Sequence, residues 1–151
     1  MVGTSRRYRV ADTAQQVVGG FLLAGPFVVT EEVWTLAAGM SWLQTLATVV
    51  IVMGIGYGAL YKADDRDPER ESEVGGVPVR FVSLVLVSYG SVLVLALTFG
   101  APSTFLSELG GQPLTVGGLI IPIERVGVTL RAVSVGAVFS VVGAATADSL
   151  F

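Results

Sequence analysis

Two adjacent carboxylates, Glu31 and Glu32, close one apolar run, and a single arginine, Arg131, interrupts another. Carboxylates in such a setting can hold a hard cation through oxygen, carry a proton, or pair with a buried base. The chain has no histidine and no cysteine. That removes zinc sites, Ser-His-Asp and Cys-His catalysis, disulfides, and haem or iron-sulfur ligation by those side chains. Carboxylate, arginine, hydroxyl and backbone remain. Neighbouring residues on a helix differ in direction by about 100°, so Glu31 and Glu32 point apart and make a poor acid-base pair. No catalytic residue is expected, and the chain is not read as an enzyme. Nine basic against twelve acidic residues leave no basic excess to track a phosphate backbone, which excludes nucleic acid as a partner.

The elements that must position these groups are membrane spans. The 151 residues are 52% hydrophobic and only 14% charged, with a mean hydropathy of +0.74, far from the balance of a soluble domain. A span needs roughly 20 apolar residues, and four stretches qualify: about 13–37, 42–61, 79–99 and about 124–147. The expected fold class is all-α, one polytopic membrane domain of four transmembrane helices, assembled as a homo-oligomer in the lipid bilayer. An acidic loop, 62–78, joins the second and third spans, and a longer loop, 100–123, precedes the fourth. Arg6, Arg7 and Arg9 precede the first span, and Lys62, Arg66, Arg70 and Arg80 lie around the acidic loop. By the positive-inside rule both termini are cytoplasmic in a multi-pass protein of the cell membrane, with Trp34 and Trp42 at the outer interface and Tyr61 at the inner one. Ser5 to Arg9 begins like a twin-arginine signal but reads better as a retained anchor. Residues 62–73 hold six acids against three bases, a solvated connector. One lysine against eight arginines and a pI near 4.8 fit a halophilic archaeal cytoplasm.

Charges inside the membrane are few enough to place singly. Asp12 and Asp148 fall at the inner ends of the first and fourth spans. Glu32 lies about 22 Å along the helix from Val17, and Arg131 roughly 7 to 10 Å in from the outer end of its span, so the two share a depth. One of Glu31 and Glu32 is expected to meet Arg131 or a neighbouring helix while the other faces a water-filled path, with Glu124, seven residues before Arg131 on the same face, also a charge partner; the plain alternative is that both glutamates are hydrated or salt-bridged at the interface. Pro26 frees the carbonyl of Leu22, making Gly25-Pro26 a candidate gating kink or a passive packing bend. Gly19, Gly20, Ala24 and Gly25 leave one face of this helix small. Gly54-x-x-x-Gly58 reads as a helix-packing face, and 114–123 as an apolar piece too short to span, interfacial or re-entrant.

The segment Pro26-Phe-Val-Val-Thr30-Glu31-Glu32-Val33-Trp34 resembles the P-x-x-x-T-x-E-x-W segment in the first span of an uncharacterised family of small prokaryotic integral membrane proteins, and that likeness brings no activity with it. The architecture is also similar to Orai-type calcium channels, which have four spans, a basic cytoplasmic N-terminus and a glutamate near the outer end of the first helix. That likeness implies a pore on the axis of a homo-oligomer. Glu32, with Glu31 as collector, would ring the axis and hold a calcium ion or another inorganic cation, and Thr30 would add hydroxyls. Val28, Gly25 and Phe21 would line an apolar gate, with Arg6 and Arg9 at the cytoplasmic mouth. The expectation is therefore a cation channel with Glu32 and Glu31 as the metal-binding residues and no resident cofactor beyond such a cation. A proton-coupled cation transporter, or a non-transporting scaffold or sensor, remains the alternative.

Overall fold

A computed structural model of the chain describes residues 8–63, 65–109 and 113–150. Among these residues three helices are long and apolar enough to cross a bilayer: Trp42–Ala63, Val79–Thr98 and Ile123–Leu150. A fourth crossing is completed if a bent pair, α1 (Val10–Val28) and α2 (Glu31–Gly39), counts as one span. The sequence pattern predicts one kinked helix over about 13–37; here the chain turns by 82° between the two pieces. Pro26 sits inside α1, and the helix runs two residues past it. The break comes at Thr30, whose backbone is extended and whose hydroxyl donates to the Pro26 carbonyl at 2.6 Å. Glu31 and Glu32 then occupy the first turn of α2, where the helix dipole favours negative charge. Trp34 fastens the bend, its indole N–H donating to the Val28 carbonyl at 2.9 Å.

Helix α3 (Trp42–Tyr57) starts at a capping box: the Gln44 amide donates to the Ser41 hydroxyl at 3.2 Å, and the Ser41 amide to the Gln44 side chain at 2.7 Å. It continues as a π-helical turn, Gly58–Ala63, whose wide radius brings Leu60 and Tyr61 into the interior. After a 3₁₀ turn at Pro68–Arg70 and a small hairpin of β1 (Glu73–Val74) and β2 (Val77–Pro78), α4 (Val79–Thr98) crosses back. A short α5 (Ala101–Phe105), a second hairpin of β3 (Leu114–Val116) and β4 (Leu119–Ile121), and α6 (Ile123–Leu150) complete the chain. The apolar piece read as interfacial or re-entrant is therefore a hairpin in its first eight residues. Gly117 and Gly118 make its turn with φ of +58° and +84°, the backbone a two-residue hairpin turn of type I′ requires.

Helix α6 is the hub, packed on α1, α2, α3 and α4. Its crossing with α1 depends on Gly19 and Gly143, because a Cβ on Gly19 would stand 2.1 Å from the Gly143 carbonyl oxygen. Ser140 donates to the Gly20 carbonyl at 3.0 Å across the same crossing. Ala24, Val28, Trp34, Val92 and Ala132 form one apolar core, and Val52, Leu60, Leu84 and Val141 another. Gly54 and Gly58 face no neighbour within 4 Å among the described residues, so the packing face expected of them meets none of the helices described. The chain direction alternates, and Tyr8, Asp12, Tyr61, Glu71, Arg80 and Asp148 meet at one end, called here the loop end. The bend, α5 and the second hairpin lie towards the opposite, far end.

Candidate charge-relay site at the loop end

Arg80 is the second residue of α4, where the helix dipole disfavours a cation, and Asp148 lies in the last turn of α6, where it disfavours an anion. Local helix electrostatics oppose both placements. Tertiary pairing compensates them. The side chains of Arg80 and Asp148 are 4% and 0% exposed, and the Arg80 Nη1 donates to both Asp148 carboxylate oxygens at 2.8 and 3.0 Å. Its Nε donates to Glu71 Oε1 at 2.9 Å and its Nη2 to Asp12 Oδ2 at 3.3 Å. Arg66 adds a second cation, with Nη1 2.9 Å from Asp148 Oδ2. One guanidinium thus joins α1, the acidic loop and α6 to α4. Three carboxylates surround it, each on a different part of the chain.

Neutral groups extend this cluster. Tyr61, carried inward by the π-helical turn, donates to Glu71 Oε2 at 2.6 Å. The Tyr8 ring lies 5.4 Å from the Arg80 guanidinium carbon, a cation–π contact, and its hydroxyl bonds Thr13 and Ser83. Ser83 donates to Gln16 Oε1 at 2.7 Å, and the Gln16 amide reaches the Arg80 carbonyl at 3.5 Å. Burial pushes the Tyr8 phenol above its ordinary pKa near 10, and the hydrogen bond to Ser83 offsets part of that rise. The hydroxyl and amide groups of Tyr8, Thr13, Ser83 and Gln16 thus line the α1–α4 contact and reach the Arg80 carbonyl, while the Arg80 guanidinium gathers the carboxylates, with Tyr61 on Glu71.

The residues singled out from sequence do not assemble in the same way. Glu31 and Glu32 are exposed and form no ion pair among the described residues. Thr30 spends its hydroxyl on the Pro26 carbonyl. Val28 is 2% exposed and belongs to the apolar core with Trp34 and Ala132, so within this subunit it lines no path. Phe21 and Gly25 are partly buried, and the outward face of α1 is apolar, with Ala14, Val18 and Leu22. Arg131 pairs with neither Glu32 nor Glu124; its guanidinium carbon lies 5.1 Å from the Trp42 ring, and Glu124 is exposed. Arg9 is exposed just before α1, and Arg6 falls outside the described residues. No three acidic side chains among the described residues converge closely enough to hold a metal ion. Asp12, Asp148 and Arg80 were visible in the sequence only as residues at span ends. Their common end follows from the alternating chain direction, and that was the available signal.

Searches of curated proteins and of solved structures returned no match. A protein-family model does match, over residues 3–101, which takes in α1 to α4 and hence Asp12, Glu71 and Arg80, and stops before α6. Its subject is an integral membrane protein family without an assigned activity, the class of family expected from the Pro26 to Trp34 segment, while the segment motif and the calcium-channel likeness stand apart from it. The span covers most of the chain, which belongs to the family described as "Putative integral membrane protein (DUF2391)".

Proposed function

We propose that the protein is a proton-coupled cation transporter, and that the Arg80–Asp148 cluster is both its proton-carrying site and the gate of its loop end. The observation that carries this reading is the wholly buried Asp148 carboxylate clamped by Arg80 and Arg66. An ion pair of this kind costs its desolvation energy and gives little net stability compared with apolar packing, and ionisable groups at membrane depth mark ion or proton pathways by default. Ionised, the three carboxylates hold Arg80 and close the bundle. Loss of the Asp148 charge, as Asp148→Asn would impose, frees the guanidinium and loosens α4 from α6. Orientation follows the Lys and Arg distribution, which puts the loop end and both termini in the cytoplasm. The opposite end carries Glu31, Glu32, Glu108 and Glu124, all exposed, a field that concentrates cations.

A second reading, the homo-oligomeric cation channel, draws support from Glu31 and Glu32 being exposed at the bend without ion partners. It requires the apolar outer face of α1 to line the pore, whereas the polar groups of α1, Gln16 and Thr13, point into the subunit. Cation uptake into liposomes holding the native chain, Asp148→Asn or Glu32→Gln separates the two. Transport lost in Asp148→Asn and kept in Glu32→Gln supports the exchanger. The reverse pattern supports the channel and overturns the exchanger.

A further inference from the structure

Arg131 is the one arginine of α6 set well inside the span, and it meets no carboxylate among the described residues. It lies 17 positions from Asp148 on the same helix, a rise of about 25 Å, against a hydrocarbon core of about 30 Å. With Asp148 at one hydrocarbon edge, Arg131 sits just inside the other. A guanidinium at that depth costs several kcal/mol unless an anion or water meets it. Its Nε is shut inside the protein with no acceptor among the described residues, so its two Nη groups are the donors an outside anion could meet, and Trp42, 74% exposed, covers one face of the guanidinium at 5.1 Å. Trp42 is also the first residue of α3. Ser41 satisfies the Gln44 amide, while the amides of Trp42 and Leu43 precede any intrahelical acceptor. Two sources of positive potential, a guanidinium and a helix N-terminus, thus stand beside one exposed tryptophan just inside the hydrocarbon edge, where a long arginine side chain can snorkel to the lipid headgroups.

We propose that Arg131, held against Trp42 at the start of α3, binds the phosphodiester of an anionic membrane lipid in the leaflet at the far end. Bidentate hydrogen bonding suits a guanidinium to phosphate, indole favours the headgroup level, and the α3 amides add donors to the same anion. The lipid is the anion present at that depth at high local concentration. The site is separate from the loop-end cluster and does not depend on transport.

The test titrates delipidated full-length protein in detergent with dioleoylphosphatidylglycerol, with dioleoylglycerol, which has the same chains and no phosphate, and with inorganic phosphate, reading bound adducts by native mass spectrometry. The native chain is expected to retain phosphatidylglycerol and not the diacylglycerol. Arg131→Gln should weaken that binding about tenfold, and Arg131→Lys less, since it keeps charge without the fork. Leu43→Pro, which removes one amide where proline is tolerated in a helix, should weaken it with Arg131 intact. Helical circular dichroism checks that each variant folds. Equal phosphatidylglycerol binding by native chain and Arg131→Gln overturns the site. Displacement of the lipid by millimolar inorganic phosphate overturns the lipid as its occupant.

Discussion

Breaking the loop-end cluster from either side, and then from both, gives the most informative energetic test of its nature. Arg80→Met removes the only side chain among the described residues that touches Asp12, Glu71 and Asp148 together, leaving Asp148 with Arg66 and Asp12 without the Arg80 ion pair. Asp148→Leu leaves Arg80 buried with two partners instead of three. Removing one member of a buried ion pair costs about 3–5 kcal/mol, because the remaining charge stays desolvated without compensation. Each single variant should lose about that much. The double variant removes both charges of the central pair and fills the space with apolar groups, so it should cost less than the sum by about 2–3 kcal/mol. Reversible unfolding by dodecyl sulfate in mixed micelles, followed by far-ultraviolet circular dichroism, measures all four corners of the cycle. Single losses under about 1 kcal/mol, the size seen for exposed pairs, or strictly additive losses, would refute the view that these charges are buried and coupled.

The α1–α6 crossing makes a sharper steric forecast: Gly19→Val places a side chain 2.1 Å from the Gly143 carbonyl oxygen and should cost at least about 1–3 kcal/mol. Gly54→Ala meets nothing and should be neutral, or stabilising by up to about 1 kcal/mol through helix propensity, as the same unfolding assay would show. Trp34→Phe keeps the ring and strands the Val28 carbonyl, costing about 1–3 kcal/mol; spin labels at positions 22 and 38 should then report a broader distance distribution across the bend. Tyr8 has its pKa raised by burial, so its contribution is complete below pH 10 and fades as pH climbs past the unfolded value. Phenolate absorbance at alkaline pH should show native Tyr8 ionising after an exposed tyrosine, and Tyr8→Phe should lower the late-ionising amplitude by one phenol. Because the chain has no native cysteine, Ser88→Cys, at a wholly buried position beyond the cluster, should resist a membrane-impermeant thiol reagent and react faster when Asp148→Asn is added; equal rates would contradict a gate at the loop end.

Hydropathy made the crossings at 42–61, 79–99 and 124–147 legible, because an apolar run of that length has few alternatives. The bend was harder. A proline announces a freed carbonyl four residues back, but the helix tolerates Pro26, and the actual break depends on Thr30 leaving helical geometry while Trp34 returns to the Val28 carbonyl. The second hairpin was signalled by two glycines between short β-branched runs, a pattern easily read as loop in so apolar a chain. The cluster escaped because its members lie up to 136 positions apart: Asp12 and Asp148 are each 68 residues from Arg80, and each alone looks like an ordinary span-end charge. Burial is a tertiary property, so nothing in the neighbourhood of Arg80 in sequence distinguishes it from Arg70. Arg131 was placed at its depth by helix rise alone, whereas its contact with Trp42 needed the α3–α6 packing.

The central claim is that proton movement drives cation movement through this chain. The decisive measurement loads liposomes carrying the native protein with equal sodium, potassium or calcium on both sides, imposes a pH difference with the membrane potential clamped, and follows the cation. Exchange predicts that the cation accumulates against its own gradient, in the direction opposite to proton flow, and that Asp148→Asn abolishes the accumulation in a protein that still folds. Cation that merely equilibrates, or does not move at all, would contradict it.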